Sequence, residues 1–530
     1  MSTTENRSPF LLKGLGWFNV FFIAEFMLAA GDWISLSVAW NALLIVCLLV
    51  PQPQKLRFVQ QMLGWAAAAV LLYGESWLPP VASLLSNTQN ILGFSWSYLA
   101  ELASDFVNGQ MLLWLVVLAA GYAFLRRWVR VSVFTVLYFT AGILTPWAWQ
   151  EMHPADTPEP LALAETAATE TTDANTIAQW YDAFIAYEKD RKAALPAGLS
   201  AKDTPFDIVL LNICSLSNDD LEAAELSDHG VFSRFNLVFD HFNSATSYSG
   251  PATLRLLNMA CGQPSHDELY AVRPECQIMN RLERLGFKER LMMDHAGEYD
   301  DYLKTLRDKA GLTAPVTVPR QRSLRYMAFD DEPIADDLTV LRDWLRVTRA
   351  EKNPRTVTLM NFISLHDGNR LPRHGRSENF KPRAKLLLDQ LATFMREVER
   401  SGRKVLLIVV PEHGAAVRGD RIQMPRLRDI PSLKITEVPV LVKFFGLKEL
   451  PTTPVHVTGS TSYLALGELI GRVLADNYFS SPKGTIDLAD LAASLPRTNA
   501  VSENAQAQVL SYKGRDYLKR GDKPWTLYPH

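Results

Sequence analysis

The apolar positions of the chain follow one pattern before residue 150 and another after residue 178. Before residue 150 they form long runs, each near or slightly below the roughly 20 apolar residues that a helix needs to cross a bilayer. These runs cover residues 15–30, 34–50, 59–73, 111–125 and 131–147. Because further runs follow the first, we interpret the first as an uncleaved anchor rather than a signal peptide. The pattern predicts a five-span transmembrane domain over residues 1–150.

After residue 178 the apolar runs are short and alternate with amphipathic stretches, such as residues 336–352 and 382–402. Strands that alternate with helices are typical of an α/β sandwich with a mostly parallel sheet. The predicted strands cover residues 206–213, 288–294, 357–365, 404–410 and 438–445. The sequence therefore predicts a second domain of this class over residues 178–530.

Two stretches fit neither pattern. Residues 151–177 are acidic, rich in proline, alanine and threonine, and contain no lysine or arginine, which predicts a linker. Residues 87–109 alternate apolar and polar positions near helical spacing. They predict a helix along the outer membrane-water boundary, although an ordinary helix within a loop fits the same pattern.

Lysine and arginine are distributed unevenly among the loops between the apolar runs. They occur before the first run, between the second and third runs, and between the fourth and fifth runs: Arg7, Lys13, Lys55, Arg57, Arg126, Arg127 and Arg130. The alternate loops, around residue 32 and over residues 74–110, contain neither type. Because loops with these residues stay in the cytoplasm, we expect a multi-pass protein of the bacterial inner membrane whose C-terminal domain lies in the periplasm.

Net charge and cysteine usage narrow the function classes. The formal charge of -3, without a pronounced basic block, argues against a nucleic-acid partner. Cys261 and Cys276 bracket a short polar loop, which fits a disulfide in an oxidising compartment. Two unrelated thiols fit the same sequence, so the pairing stays open at this point.

Residues able to bind a metal follow the ends of three predicted strands. Cys214 follows the first strand, His366 the third, and the adjacent Glu412 and His413 the fourth. In parallel α/β sheets, ligands bind beyond the C-terminal strand ends. Catalytic zinc sites use three protein ligands, which include thiolate, carboxylate and imidazole, and keep a fourth position open. Cys214, Glu412 and His413 thus predict a zinc site, although a buried thiol and a solvated loop are the alternatives.

Ser249 precedes a helix predicted to begin near Gly250-Pro251, where a serine is also a good N-cap. The same position would direct a hydroxyl and backbone N–H groups at an anion. A serine hydroxyl needs a base or a metal to become a nucleophile, and we place its oxygen at the fourth position of the predicted zinc site. His366 is then a proton-handling group or a turn histidine, and Arg428 a phosphate partner or an ordinary surface arginine.

The motifs that contain these residues are FDIVLLNICSLSNDDL, FNSATSYSGPATLRLL, ISLHDGNR, VVPEHGAAVRGDRIQ and LRDIPS. With VSENAQAQVLSYKGRDY near the C-terminus, they resemble the bacterial cellulose phosphoethanolamine transferases over nearly the whole chain. That family is similar to the alkaline-phosphatase-like lipid A phosphoethanolamine transferases. The resemblance implies an alkaline-phosphatase-like α/β/α sandwich behind the transmembrane domain.

The resemblance also implies residue roles. It assigns Ser249 as the nucleophile. It assigns the zinc ligands as Cys214, Glu412 and His413, and it places at further active-site positions Tyr248, His366 and Arg428. It also implies a disulfide between Cys261 and Cys276. The wider superfamily commonly has an acidic residue in place of Cys214 and aspartate in place of Glu412, and the cellulose-modifying branch shares the pattern of this chain.

The activity implied by the resemblance is a zinc-dependent transfer of phosphoethanolamine. The donor is phosphatidylethanolamine, the acceptor is a glucose 6-hydroxyl of cellulose, and the intermediate is a phosphoserine-type adduct. Expected partners are membrane lipid and subunits of a cellulose synthase complex. A phosphodiesterase or sulfatase-type hydrolase on the same scaffold is one alternative, and a non-catalytic membrane scaffold subunit of that complex is another.

Overall fold

The computed structural model describes residues 14–529, apart from residues 32–33, 35, 77–92, 107–108, 153–173, 201–202, 318–323, 352–354, 374–375, 448–449 and 481–486. The chain divides into two compact units. The N-terminal unit comprises Met1–Leu84 and Leu102–Glu170, and the C-terminal unit comprises Leu85–Glu101 and Thr171–His530. Most of the predicted linker, residues 153–173, lies outside the described residues.

Each of the five long apolar runs is helical. Among the described residues up to position 152, the helices are α1 (Phe18–Ala30), α2 (Val38–Leu49), α3 (Gln54–Glu75), α4 (Trp96–Phe106), α5 (Gly109–Leu125) and α6 (Val131–Met152). In the N-terminal unit, Phe18, Phe22, Leu44, Ile45 and Phe139 form a small apolar core. Among the described residues, no helix has both the length and the mean hydropathy of a membrane span.

The C-terminal unit contains a mixed β-sheet with helices on both faces. The described strands of this unit, which belong to more than one sheet, are β1 (Asp207–Cys214), β2 (Leu237–Asn243), β3 (Lys288–Met293), β4 (Val316–Thr317), β5 (Leu324–Met327), β6 (Pro333–Ala335), β7 (Thr356–Phe362), β8 (Val405–His413), β9 (Glu437–Phe445), β10 (Val455–Val457), β11 (Val501–Asn504), β12 (Ala507–Tyr512), β13 (Arg515–Arg520) and β14 (Thr526–Leu527). The main sheet has the order β10-β2-β9-β8-β1-β7-β3-β4. The five predicted strands correspond to β1, β3, β7, β8 and β9.

Strand direction in the main sheet is largely parallel. The exception is β9, which pairs antiparallel with both β2 and β8. The prediction of a mostly parallel sheet is therefore correct for the strands around β1, whereas the sheet as a whole is mixed. Because β1, β7 and β8 run in the same direction, their C-terminal ends meet at one edge.

Helices cover both faces of this sheet. They are α7 (Ala174–Asp190), α8 (Asn218–Ala223), α9 (Ser249–Leu257), α10 (Ile278–Arg284), α11 (Tyr302–Ala310), α12 (Asp337–Ala350), α13 (Phe380–Ser401), α14 (Leu433–Thr436), α15 (Tyr463–Ala475) and α16 (Leu488–Ser494). Alternate residues of β1 enter opposite cores: Ile208 and Leu210 pack with α9 and α15, and Val209 and Leu211 pack with α12 and α13. A strand that is covered on both faces is apolar throughout, which explains its uninterrupted hydrophobic run.

The last part of the chain forms a second, antiparallel sheet in the order β11-β12-β13-β14. Helix α7 packs on it through Ile177 and Phe184, which are buried against Leu510, Tyr517 and Trp525. The sequence did not predict this sheet. Helix α7 begins at Ala174, inside the segment predicted as a linker, because its apolar face has this sheet to pack against.

The structure joins Cys261 and Cys276 in a disulfide, which closes a loop with a sequence separation of 15. A cross-link over a loop of this length restricts the unfolded chain and contributes about 3 kcal/mol to stability in the loop-entropy account.

We expect the double variant Cys261→Ser and Cys276→Ser to have a free energy of unfolding that is lower by about 3 kcal/mol. Denaturant unfolding of the full chain, with reduced wild type as the control, checks this. A denaturation midpoint of the double variant equal to that of oxidised wild type would contradict the expectation.

Candidate active site

A bulge at the end of β8 brings the three predicted zinc ligands together. Strands β1 and β8 pair in regular register as far as Ile213 opposite Pro411, and Cys214 then lies opposite His413. Glu412 is the extra residue, and such bulges reorient the side chains beside them. We predicted that this strand ends at residue 410, before Pro411. That expectation was wrong, because β8 continues through His413.

Cys214, Glu412 and His413 are fully buried, and one potential ligand atom from each lies within 4.8 Å of the others. Ser249 adjoins this group: its hydroxyl lies 3.2 Å from the Cys214 sulfur and 3.3 Å from His413 Nε2. The sulfur lies 3.8 Å from the same nitrogen. The structure thus places the predicted nucleophile and the predicted ligands in one cluster.

Ser249 is the first residue of α9, one residue earlier than predicted. The N-cap position belongs to Tyr248, whose φ of -127° and ψ of 143° are extended. The N-cap interpretation of Ser249 is therefore wrong. At this first helical position the side chain meets Cys214 and His413, and the first backbone N–H groups of a helix have no partner within the helix.

A hydrogen bond fixes the orientation of His413. Its Nδ1 lies 2.9 Å from the carbonyl oxygen of Gly414, and a carbonyl can only accept. The proton is therefore on Nδ1, and Nε2 presents a lone pair to Ser249 and Cys214. Backbone or carboxylate acceptors on the far nitrogen are the usual way in which metal-binding histidines are held in one tautomer.

Glu412 is bonded through one carboxylate oxygen only. Its Oε1 accepts hydrogen bonds from Asn361 Nδ2 at 2.6 Å and from the Tyr302 hydroxyl at 3.3 Å, and it lies 3.0 Å from the Thr253 hydroxyl. Its Oε2 is buried and has no hydrogen-bond partner among the described residues. Because a buried polar atom without a partner is costly, this oxygen fits a cation bound beside it.

Burial opposes charge on all three residues. It raises the pKa of the Cys214 thiol, and the nearby Glu412 adds to that shift. It also raises the pKa of Glu412, and together with Arg428 it lowers the pKa of His413. A divalent cation is the charge that reverses this balance, because it favours the deprotonated thiol and carboxyl. The donor set and its burial therefore fit a metal ion.

Two other predicted site residues, Arg428 and Tyr248, contact or adjoin residues next to this cluster. Arg428 Nη1 donates to Ser215 Oγ at 3.4 Å, and Ser215 follows Cys214 directly. The Tyr248 side chain is 38% exposed, and its hydroxyl donates to Asp429 at 2.7 Å. Arg428 is thus half-buried and contacts the residue after Cys214, and Tyr248 is partly exposed directly before Ser249.

His366 lies in the loop after β7, and Nδ1 of its ring lies 2.7 Å from the carbonyl oxygen of Asp367. Its ring packs on Phe329, with 4.6 Å between centroids. Burial, and then the charge of Arg428, lower the pKa of His366. Both effects favour the neutral imidazole, in which the proton lies on Nδ1 and Nε2 carries a lone pair.

The chain matches known proteins over nearly its whole length. A family model described as cellulose biosynthesis protein BcsG C-terminal domain matches residues 162–525, and one described as BcsG N-terminal domain matches residues 17–142. The cellulose biosynthesis protein BcsG of Salmonella typhimurium is 38% identical, over 98% of this chain and 97% of that protein. The chain belongs to the BcsG family.

Solved structures also resemble this BcsG-family chain. A protein of the alkaline phosphatase superfamily from Vibrio parahaemolyticus matches with a TM-score of 0.46 and 13% identity, over 64% of this chain and 81% of that one. The integral membrane lipooligosaccharide phosphoethanolamine transferase A of Neisseria meningitidis matches with a TM-score of 0.40 and 12% identity, over 90% of this chain and 98% of that one.

Sequence reasoning missed the residues that support the cluster in this BcsG-family chain. Asn212 and Asn361 lie directly opposite each other on β1 and β7, and Asn361 Nδ2 donates to Asn212 Oδ1 at 2.8 Å as well as to Glu412. Thr253 is within 3.0 Å of Asn212 Oδ1. A usable signal existed, because an asparagine inside an apolar strand run is unusual and has to be hydrogen-bonded there.

Two further contacts hold the loops around the cluster. The buried Asp220 accepts from the backbone N–H groups of Ala415 at 2.6 Å and Val417 at 3.1 Å, directly after β8. Asn504 at the end of β11 donates to the carbonyl oxygens of Arg428 and Asp429 at 3.3 and 3.0 Å. The C-terminal antiparallel sheet thus fixes the loop that carries Arg428.

Proposed function

We propose that the chain is a phosphoethanolamine transferase that moves this group from phosphatidylethanolamine to a hydroxyl of cellulose, the glucose 6-hydroxyl by resemblance. The observation that carries the proposal is the Ser249 hydroxyl, which lies 3.2 and 3.3 Å from two residues of a buried thiol, carboxyl and imidazole cluster. Membership of the BcsG family supports cellulose as the acceptor.

Cys214, Glu412 and His413 would hold a zinc ion. Thiolate and imidazole together favour zinc among the common divalent cations, and the unpartnered Oε2 of Glu412 provides an oxygen donor. Bound there, zinc would lower the pKa of the Ser249 hydroxyl and stabilise negative charge on the transferred phosphoryl group.

The proposed reaction has two displacements at phosphorus. In the first, Ser249 Oγ forms a bond to phosphorus, the bond from phosphorus to the diacylglycerol oxygen breaks, and the serine proton passes to that oxygen. In the second, the sugar oxygen bonds to phosphorus, the bond to Ser249 Oγ breaks, and the sugar hydroxyl proton returns to the serine. His366 is the candidate for holding the proton between these oxygens, because its Nδ1 is directed at the Asp367 carbonyl and its Nε2 then carries a lone pair.

The negative charge on the phosphoryl group needs partners besides the metal ion. Arg428 provides a fixed positive charge on the loop beside Ser215. The N-terminus of α9 provides backbone N–H groups at Ser249 itself. A guanidinium beside Ser215 and a helix N-terminus at Ser249 together support an anionic substrate.

We propose that the N-terminal unit is inserted in the bacterial inner membrane and that the C-terminal unit is periplasmic. Large apolar side chains point outward from helices α2, α3, α5 and α6 and are 58 to 72% exposed: Trp40, Phe58, Leu63, Val70, Trp114, Phe134 and Leu137. Soluble surfaces rarely carry so many. The disulfide fits an oxidising compartment, and a lipid donor is available only at a membrane. Cellulose synthase subunits are the expected protein partners.

A transfer assay tests the activity. The full chain in lipid nanodiscs is supplied with phosphatidylethanolamine labelled in its head group, with and without cello-oligosaccharides. We expect the label on the oligosaccharide together with released diacylglycerol. Free labelled phosphoethanolamine, regardless of acceptor, would replace the proposal with a hydrolase. No release under either condition would favour the non-catalytic scaffold.

Asn361→Leu tests the support of the proposed zinc site. The leucine has a similar size but removes the donor to Glu412 Oε1, so the carboxylate is less well oriented. Loss of such a contact typically lowers metal affinity by about 10 to 100-fold, and we expect a decrease in that range in zinc competition with a chelating dye.

The matched control is Asn236→Leu. Asn236 is also buried, but its side chain accepts from the backbone N–H of Phe444, at the start of β2. This control should lower stability and leave zinc affinity unchanged. Equal zinc affinity in Asn361→Leu and wild type would contradict the assigned support.

A further inference from the structure

A segment from between the N-terminal helices belongs to the C-terminal unit. Residues 94–101 lie in sequence between α3 and α5, yet they group with the C-terminal unit. The backbone N–H of Ser95 donates to the carbonyl of Phe329 at 2.9 Å. We call Phe94–Glu101 the docking segment. Our prediction of a boundary helix over residues 87–109 placed this stretch in the first domain.

Aromatic rings connect the docking segment to His366. Phe94 and Tyr98 lie with their ring centroids 5.5 and 6.1 Å from that of Phe329. The ring of Phe329 in turn packs on the His366 imidazole, with 4.6 Å between centroids. The docking segment therefore packs on Phe329, the side chain on which the His366 ring also packs.

A hydrogen bond makes a second connection. The Tyr98 hydroxyl donates to Asp367 Oδ2 at 2.8 Å, and the Tyr98 and Asp367 side chains are both buried. The backbone carbonyl of Asp367 is the acceptor for His366 Nδ1, at 2.7 Å. Arg426 lies 3.5 Å from the other oxygen of Asp367. A shift of Asp367 would therefore rotate the imidazole or remove its acceptor.

The next residue allows this close approach. Gly368 has a φ of +80°, and a Cβ at this position would lie 2.8 Å from both Tyr98 Cε2 and Phe329 Cβ. Any side chain there would displace the Tyr98 ring. The loop that carries His366 is thus shaped to receive Tyr98.

The last residue of the docking segment contacts two loops, the one that contains Ser377 and the one that contains Arg426. Glu101 Oε2 accepts from the backbone N–H and the hydroxyl of Ser377, at 3.1 and 2.8 Å. Its Oε1 lies 3.3 Å from Arg426 Nη1, and Arg426 is two residues before Arg428. The docking segment therefore touches the loops that carry both His366 and Arg428.

We propose that Tyr98 is a positioning residue for phosphoethanolamine transfer: its hydroxyl, through Asp367, holds the His366 imidazole in the orientation that proton movement requires. This proposal rests on the proposed function. A chain segment from the N-terminal region then completes the active site of the C-terminal unit. Tyr98 itself touches no reacting atom.

The test uses Tyr98→Phe in the full chain, because phenylalanine keeps the ring contacts with Phe329 and Gly368 and removes only the hydroxyl. Hydrogen bonds to charged groups are worth enough that their loss typically changes an equilibrium roughly tenfold or more. We expect the rate constant for diacylglycerol release to fall roughly tenfold. The fraction of chains that form the Ser249 adduct, counted by intact mass, should stay at the wild-type value.

Two further measurements separate positioning from a merely structural role. In a His366→Gln background, Tyr98→Phe should cause no additional loss, because residues that act through one another are non-additive. Ser97→Ala is the control on the same helix, since the Ser97 hydroxyl is at the surface and pairs with that of Ser95 at 3.1 Å. It should match wild type.

The outcomes are distinct. A wild-type rate in Tyr98→Phe, or an equal additional loss in the His366→Gln background, would overturn the proposal and leave the transferase intact. Tyr98→Phe could instead form the adduct in fewer chains while each adduct-forming chain keeps the wild-type rate constant. That result would also overturn the proposal, since it reports a loss of folded protein alone. Wild type that forms no adduct and releases no diacylglycerol would instead overturn the proposed function on which this inference rests.

Discussion

Ser249→Ala is expected to abolish phosphoethanolamine transfer, with a loss of at least on the order of 10³-fold. The hydroxyl is the group that would bond to phosphorus, and alanine leaves no atom to replace it. The contacts of this hydroxyl are with residues of the cluster itself, Cys214, His413 and Glu412. The fold and the zinc content should therefore stay close to those of wild type.

Intact mass of the full chain after incubation with phosphatidylethanolamine measures this directly. Wild type should gain the mass of one phosphoethanolamine group, mapped to the peptide that contains Ser249, and the alanine variant should gain none. Ser233→Ala, which removes an exposed hydroxyl that donates to the Gly230 carbonyl at 3.0 Å, is the control and should behave as wild type. Transfer at the wild-type rate by Ser249→Ala would disprove the assigned nucleophile.

Cys214→Ala is expected to cause the second large effect, a loss of bound zinc and of activity by more than about 100-fold. The thiolate is the softest of the three donors, and its removal leaves only Glu412 and His413, fewer than the three protein ligands of catalytic zinc sites. The proposed lowering of the Ser249 pKa would be lost with the metal. Elemental analysis of the purified full chain should show about one zinc in wild type and far less in the variant.

The chain provides a matched control for this substitution. Cys47, on α2, is the other cysteine outside the disulfide, and it is exposed. Cys47→Ala should keep the wild-type zinc content and activity. Cys214→Ser removes less buried volume than alanine does and should still lose zinc, which separates metal binding from a packing defect. Full zinc content in both Cys214 variants would show that the metal, if present, lies elsewhere.

The local sequence was sufficient to predict most of the main sheet. Strands β1, β7 and β8 are apolar on both faces because helices cover both sides, and such runs are visible in the sequence. Polar residues at their ends also stand out, since parallel strands bring their C-terminal ends to one edge. Cys214, Glu412 and His413 were accordingly predicted to form one zinc site from their donor chemistry and their strand-end positions, and the resemblance implied the same roles.

The arrangement within the cluster depended on features that a local pattern does not contain. The bulge at Glu412 arises from the pairing of β8 with β1, and pairing register is a property of two distant segments. The support of Glu412 by Asn361 likewise needs β7 beside β1. The start of α9 at Ser249 rather than Gly250 follows from the extended backbone of Tyr248, which the local pattern did not indicate.

The longest-range contacts were hidden from the sequence. Tyr98 and Asp367 are 269 residues apart, and the sequence around Tyr98 resembles an ordinary amphipathic helix whose partner is not specified. The antiparallel sheet that holds the Arg428 loop through Asn504 was missed for the same reason. The sequence by itself determined the strands β1, β3, β7, β8 and β9 and which chemical groups are available, because those follow from local periodicity and residue type. Only the tertiary structure decided which of these groups meet, because contacts between distant segments depend on how the whole chain packs.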